Sequence, residues 1–151
     1  MGMDVYGINP KNKEGEYFRN NVWWWRPLWN YCLETYPKIA GKVEHGHTND
    51  GDGLNSSDSK KLALLIQKDI DLGKVEEYKK NREIYLNSLP LVNCDYCSAT
   101  GFRNDQFVQG KCNACDGIGK SKHFETHYPF EVENVQEFQL FLNNCGGFKI
   151  C

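Results

Sequence analysis

Apolar positions recur at helical spacing in four stretches of the chain and alternate in two others. Asp4 to Ile8 is short and β-like, and the Asn-Pro-Lys-Asn-Lys run behind it reads as a loop. Pro27 fits the first turn of a helix reaching about Tyr36, where Pro37 stops continuation. Leu28, Tyr31, Cys32 and Tyr36 share one face of it. Residues 41–59 are polar and glycine-rich and read as a loop, with N-cap candidates between Ser56 and Ser59. A helix from about Lys60 to Leu72 then carries the stripe Leu62, Leu65, Ile66 and Ile70, and Gly73 suits its C′ position. A further helix from about Val75 to Leu89 sets Val75, Tyr78, Tyr85, Leu86 and Leu89 on one side and ends at Pro90. His123 to Phe130 alternates like a strand, with His123, Glu125 and His127 on one face. The last helix, about Asn134 to Asn144, turns Val135, Phe138, Phe141, Leu142 and Cys145 inward.

The remaining stretch, 92–122, has neither rhythm. It contains four of the seven cysteines, in the pattern Cys94-x2-Cys97-x14-Cys112-x2-Cys115. A two-residue gap lets both sulfurs of a pair turn toward one point, and the spacer is the length of a short hairpin that brings the pairs together. The second pair continues as Cys112-Asn-Ala-Cys115-Asp-Gly117-Ile-Gly119; the first has Ala99 where the second has a glycine, and ends in Gly101. Glycines behind a ligand pair allow positive φ and let backbone N–H groups turn back to the sulfurs. One structural zinc held by Cys94, Cys97, Cys112 and Cys115 is the expected occupant. Four thiolates close a tetrahedral sphere, so the ion would fold the hairpin rather than activate water. A rubredoxin-like iron is the nearest rival, since the same donors suit it. Paired disulfides fit poorly with an odd cysteine count, and neither pair opens a helix as a redox motif does. Cys32 reads as a small core residue, and Cys145 and Cys151 as free thiols.

The expected architecture is therefore a small α+β domain, mainly helical, with an inserted four-cysteine zinc ribbon. Residues 1–91 form the helical part with the aromatic segment and 92–122 the zinc hairpin. Residues 123–151 are a strand and helix packing on the first part. A chain of 151 residues with 20 aromatic side chains can bury a real core. A formal charge of −2 provides no global field for nucleic acid or an anionic membrane. No apolar run approaches the roughly 18 residues of a transmembrane helix. The N-terminal residues lack the basic start and apolar stretch of a signal peptide, and Tyr6 stands where myristoylation wants Ser or Thr. A cytoplasmic location is expected.

Three further groups invite a functional reading. Trp23, Trp24, Trp25 and Trp29 with Arg19 and Arg26 could form a stacking surface for a base, nucleotide or peptide, although neighbouring tryptophans point in different directions and one or two should enter the core. His45, His47, Asp50 and Asp52 could join His123 and His127 in a metal-dependent active site, against the plainer reading of a loop rich in side-chain turns. As a calcium loop it fails, because setting Gly53 at the turn puts Ser59 where an acid is required. The hairpin itself could grip nucleic acid, but Arg103, Lys111, Lys120 and Lys122 face Asp95, Asp105 and Asp116, too sparse a basic face.

The Cys112–Gly119 motif resembles the cysteine-rich zinc region of DnaJ-type chaperones, over about a fifth of the chain. Those chaperones carry four such motifs and two zincs; here there are two motifs and room for one ion, and no His-Pro-Asp signature. The resemblance implies local zinc geometry and a leaning toward protein–protein contact. A broader resemblance rests on Met3-Asp-Val-Tyr-Gly7, on Tyr17-Phe-Arg-Asn-Asn21 running into Trp-Trp-Trp-Arg-Pro-Leu28, and on the His47 to Gly51 loop. It extends to Cys94-x-x-Cys97-x-x-Thr100-Gly101, to Tyr128-Pro-Phe130 with Val132-Glu-Asn-Val135, and to Gly146-Gly-Phe148-x-Ile150-Cys151. The chain is in these respects similar to a family of small bacteriophage and bacterial proteins. That implies a phage or prophage origin and action in a bacterial host cytoplasm, and nothing catalytic. The expected function is a non-enzymatic, zinc-stapled binding protein engaging a host or viral macromolecule, most simply a protein, or a nucleotide signal. Metal-dependent catalysis and nucleic-acid binding are the alternatives.

Overall fold

The structure is a computed structural model describing residues 1–151. It is α+β, and it divides into two compact units, one of residues 1–81 with 128–151 and one of residues 82–127.

The first unit opens with β1 (Gly2–Gly7), passes a 3-10 turn at Lys13–Gly15 and returns as β2 (Tyr17–Asn21). The chain ends in β7 (Phe148–Ile150), and the antiparallel order is β2-β1-β7. Alternation divides the sheet cleanly. Val5 pairs with Phe18 on one side and Ile150 on the other, and all three are buried. On the opposite face Asp4 lies across from Arg19 at 3.3 Å and accepts from the Tyr17 hydroxyl, while the Tyr6 and Tyr17 rings meet at 5.0 Å. Strands of three to six residues carry too little periodicity to be conspicuous in sequence. β2 lies in a stretch ahead of Pro27 to which the hydrophobic pattern assigns no element, and β7 is likewise a strand that it does not predict.

α1 (Val22–Thr35) begins five residues ahead of the expected start at Pro27. Asn21 sets that start, since its side chain accepts from the backbone N–H groups of both Trp23 and Trp24. Pro27 lies inside the helix and removes the bond that would have reached the Trp23 carbonyl, a local loss that the buried face absorbs. Pro37 ends α1 as expected and opens the single-turn α2 (Pro37–Ala40). α3 (Ser56–Asp71) also starts early, capped by Asn55 rather than by a serine. Gly73, with φ +72°, takes the expected C′ place before α4 (Lys74–Ser88). On α4 only Val75 is buried; Tyr78 and Leu86 are half-buried and Tyr85 is exposed. α5 (Val132–Asn144) buries Val135, Phe138, Phe141 and Leu142, as its periodicity predicts.

Aromatic packing fills the space between the sheet and these helices. Trp25 and Trp29 stack in parallel at 5.6 Å, and Phe138 stands edge-on to both. Phe18, Phe141 and Phe148 close around Phe138 at 5.1–6.4 Å. The loop between α2 and α3 contributes as well. Gly46 accepts from the Trp25 indole N–H at 2.7 Å, and residues 51–54 bond the free edge of β7 through Gly51, Asp52 and Leu54. An otherwise open sheet edge is thereby covered. Gly53 permits it: a Cβ there would sit 1.8 Å from the Phe148 carbonyl oxygen.

The second unit consists of the end of α4 and four short strands: β3 (Val92–Asn93), β4 (Phe102–Asn104), β5 (Gln109–Lys111) and β6 (Lys120–Ser121). β3 pairs with β6 and β4 with β5, both antiparallel. The expected strand over 123–130 is instead a 3-10 turn at Phe124–His127. The reason is local, because the Thr126 hydroxyl bonds back to the His123 carbonyl and the Glu125 N–H to His123 Nδ1, which curls the backbone. No helix is long and apolar enough to cross a membrane.

Candidate metal centre

Each cysteine pair lies on a knuckle between two strands. Cys94 follows β3 and Gly101 precedes β4; Cys112 follows β5 and Gly119 precedes β6. Because β3 pairs with β6 and β4 with β5, the two knuckles are related by an approximate two-fold, at an offset of 18 residues. The hydrogen bonds repeat at that offset. Cys94 N–H donates to the Gly119 carbonyl at 3.0 Å and Cys112 N–H to the Gly101 carbonyl at 2.8 Å, so each knuckle is tied to the other. Gly101 N–H points at Cys97 Sγ (3.3 Å) and Gly119 N–H at Cys115 Sγ (3.2 Å), the back-bonding expected from the glycines.

All four sulfurs lie within 4.8 Å of one another and all four residues are buried. Cys94 and Cys112 Sγ are 4.0 Å apart, and Cys97 and Cys115 Sγ 3.7 Å. A disulfide needs about 2.05 Å. Four sulfurs at about 2.3 Å from a central ion are about 3.8 Å from each other, which these spacings match. Donor chemistry agrees with geometry, and the four cysteines are placed to hold one metal ion such as zinc. Burial pushes the Cys94 thiol up to about 11, which favours its neutral form unless a cation offsets the thiolate charge. Arg103 supplies further positive charge. Its guanidinium bonds Asp105 at 2.7 Å and Asn113 at 3.1 Å, lies over the Tyr96 ring, and is close enough to Cys94 and Cys112 to interact with their charge.

The chain matches no protein-family model, no curated protein and no solved structure.

One asymmetry between the knuckles has an energetic consequence. Gly117 has φ +76°, and at the equivalent place Ala99 has φ +66°, a region costing a non-glycine residue about 1 kcal/mol. Ala99→Gly is expected to stabilise the hairpin by about 0.5–1 kcal/mol. Gly117→Ala is expected to destabilise it by more, because the new Cβ also meets the Lys111 side chain at 2.9 Å. Chelator-competition midpoints of the two variants should shift in opposite directions.

The other candidate groups are placed differently. Trp25 and Trp29 are wholly buried in the core and cannot contribute to a contact surface, which corrects the expectation that all four tryptophans could do so. The physical cause is helical: residues 25 and 29 share the inward face of α1, while Trp23 and Arg26 share an outward one. Trp23 is 46% exposed, packs on Tyr128 at 4.7 Å, and sits near half-buried Trp24. Sequence reading missed Tyr128, which lies more than a hundred residues away. Arg19 is engaged with Asp4 on the sheet's outer face.

The histidines do not assemble. The four cysteines are the one group of three or more His, Cys, Asp or Glu side chains whose ligand atoms converge. His45 and His47 belong to the first unit, His123 and His127 to the second. Asp52 accepts from the backbone N–H groups of His45 and Gly53, which lowers its pKa and makes it a loop brace. His47 Nε2 bonds Asn30 Oδ1 at 2.9 Å, and its pKa is lowered by burial first and by Arg26 second. Cys32 and Cys145 are buried free thiols, and burial raises the pKa of both.

Proposed function

We propose that the protein is a non-enzymatic binding protein stapled by one structural zinc, of phage or prophage origin, acting on a host or viral macromolecule in the bacterial cytoplasm. The observation that supports it is the set of four buried cysteine sulfurs within 4.8 Å of one another. Four thiolates leave no coordination position for a reactant, so the ion's contribution is folding free energy. Zinc is preferred over iron because a redox-inert d¹⁰ ion meets a purely structural demand. The resemblance to small phage proteins supports a host or viral macromolecule as the partner. Within the aromatic segment the contact group reduces to Trp23, Trp24 and Arg26, because Trp25 and Trp29 are buried and Arg19, although exposed, is paired with Asp4 on the sheet. Trp and Arg are among the residue types most enriched at the hot spots of protein interfaces.

Elemental analysis of protein purified without added metal should give one zinc per chain. Stoichiometric iron, or a second metal retained after gel filtration, would overturn the reading. For the contact group, a pull-down from phage-infected cells with the Trp23→Ala, Arg26→Ala double variant is expected to lose a partner that the unmodified chain retains. Metal content should be unchanged. Identical partners would remove this surface from the proposal.

A further inference from the structure

A cleft of about 740 Å³ opens in the first unit between the α1–α2 junction, α3 and the start of α4. It involves neither the metal centre nor the Trp23 surface. Its volume falls in the range of small-molecule sites, and its walls are mostly apolar, with Tyr31, Tyr78, Ile39 and Leu65 among them.

The polar groups are few and ordered. Tyr36 donates its hydroxyl to Asp69 Oδ2 at 2.6 Å, and Tyr31 and Tyr36 hydroxyl oxygens are 2.7 Å apart. Tyr36 has one proton and gives it to the carboxylate, so Tyr31 donates to Tyr36. The chain of three therefore presents only acceptors at its ends: the Tyr31 oxygen and Asp69 Oδ1. Lys74 Nζ forms an ion pair with Asp69 Oδ1 at 4.0 Å, longer than a hydrogen bond. Depth sorts these groups. Tyr31 and Tyr36 are buried and the Asp69 side chain is 14% exposed, whereas that of Lys74 is 61% exposed and Lys38 also stands at the rim. Acceptors lie deep among aromatic rings; Lys38 stands at the mouth, and the largely exposed Lys74 side chain reaches in from it to Asp69.

We infer that this cleft binds a guanine nucleotide, with the base edge taking the place of the Lys74 ammonium at Asp69 and the phosphate meeting Lys38 and the displaced, largely exposed Lys74 side chain at the mouth. A flat ring suits the tyrosine-lined interior. The carboxylate selects the base, because it can only accept and the guanine Watson–Crick edge offers adjacent N–H donors. Adenine would set a ring-nitrogen acceptor against the same carboxylate. Phosphate at the mouth meets both lysines without having to be desolvated.

Isothermal titration calorimetry on the full, metal-loaded chain tests this with GMP, AMP and pyrophosphate as probes. GMP is expected to bind one to one, AMP at least tenfold more weakly, and pyrophosphate without saturation. Leu65→Trp, at a position 39% exposed on α3, should fill the cleft and abolish GMP binding while the circular dichroism stays unchanged. Lys74→Gln should weaken GMP at least tenfold; it removes the cation without setting a second carboxylate beside Asp69. Absence of saturable GMP binding overturns the inference. So do equal affinities for AMP and GMP, saturable pyrophosphate binding, or GMP binding that survives Leu65→Trp.

Discussion

Cys112→Ser is expected to release the metal and unfold residues 82–127 while the other unit keeps its fold. The asymmetry follows from where apolar surface is buried. In the second unit the buried side chains are the four cysteines alone. Tyr96, Phe102, Phe107, Ile118 and Phe124 are 62–80% exposed and form no substitute core. Its strands are two or three residues long, far below what sustains a sheet unaided. Structural zinc contributes about 10–16 kcal/mol in small finger peptides, more than the backbone bonds of such a hairpin can replace. The first unit has its own continuous aromatic and aliphatic core, with no metal ligand in it. In ¹H–¹⁵N spectra, amide signals of 92–122 should collapse to random-coil shifts in Cys112→Ser or after exhaustive chelation, with core signals of α1 and α5 retained. Dispersed hairpin signals in metal-free protein would show that the ion is not what folds it.

The second large effect is Phe138→Ala, expected to cost about 3–5 kcal/mol, against a typical total stability of about 5–15 kcal/mol. Phe138 is fully buried on α5 and is the ring that Trp25, Trp29, Phe18, Phe141 and Phe148 all meet. Those neighbours come from α1, β2, β7 and α5 itself, so collapse into the cavity would require moving several elements at once. Urea unfolding followed by tryptophan fluorescence should show a lower midpoint with an unchanged slope, and Tm should fall by roughly 15 °C. Leu140→Ala, on the exposed side of the same helix, is the control and should stay within about 0.5 kcal/mol of the parent. A Phe138→Ala change as small as the control would mean the aromatic core is not packed as described.

The convergence of Cys94, Cys97, Cys112 and Cys115 was legible in the amino-acid sequence because the constraint is local. Two cysteines three positions apart with glycines behind them have few ways to point their sulfurs, and the hairpin length does the rest. The same holds for α3 and α5, whose stripes of Leu62 and Ile66 or Val135, Phe138 and Leu142 repeat within a few turns, and for Gly73 at a helix end. What local pattern could not settle is which of several similar residues turns inward. Trp23, Trp24, Trp25 and Trp29 are chemically equivalent in sequence, and the rotation of α1 fixed by the Asn21 cap and by Phe138 sends two of them to the core and two to the surface. β2 and β7 are too short to announce themselves and exist because β1 pairs with both. Residues 51–54 look like an unstructured polar loop until the edge of β7 is there to bond them. Tyr31, Tyr36 and Asp69 form one hydroxyl chain only when α1 and α3 are packed together. Sequence by itself determined most of the helices and the sulfur site, where neighbours along the chain set the geometry; tertiary structure decided burial, strand pairing and the cleft, where the partners are distant and the free energy resides in packing.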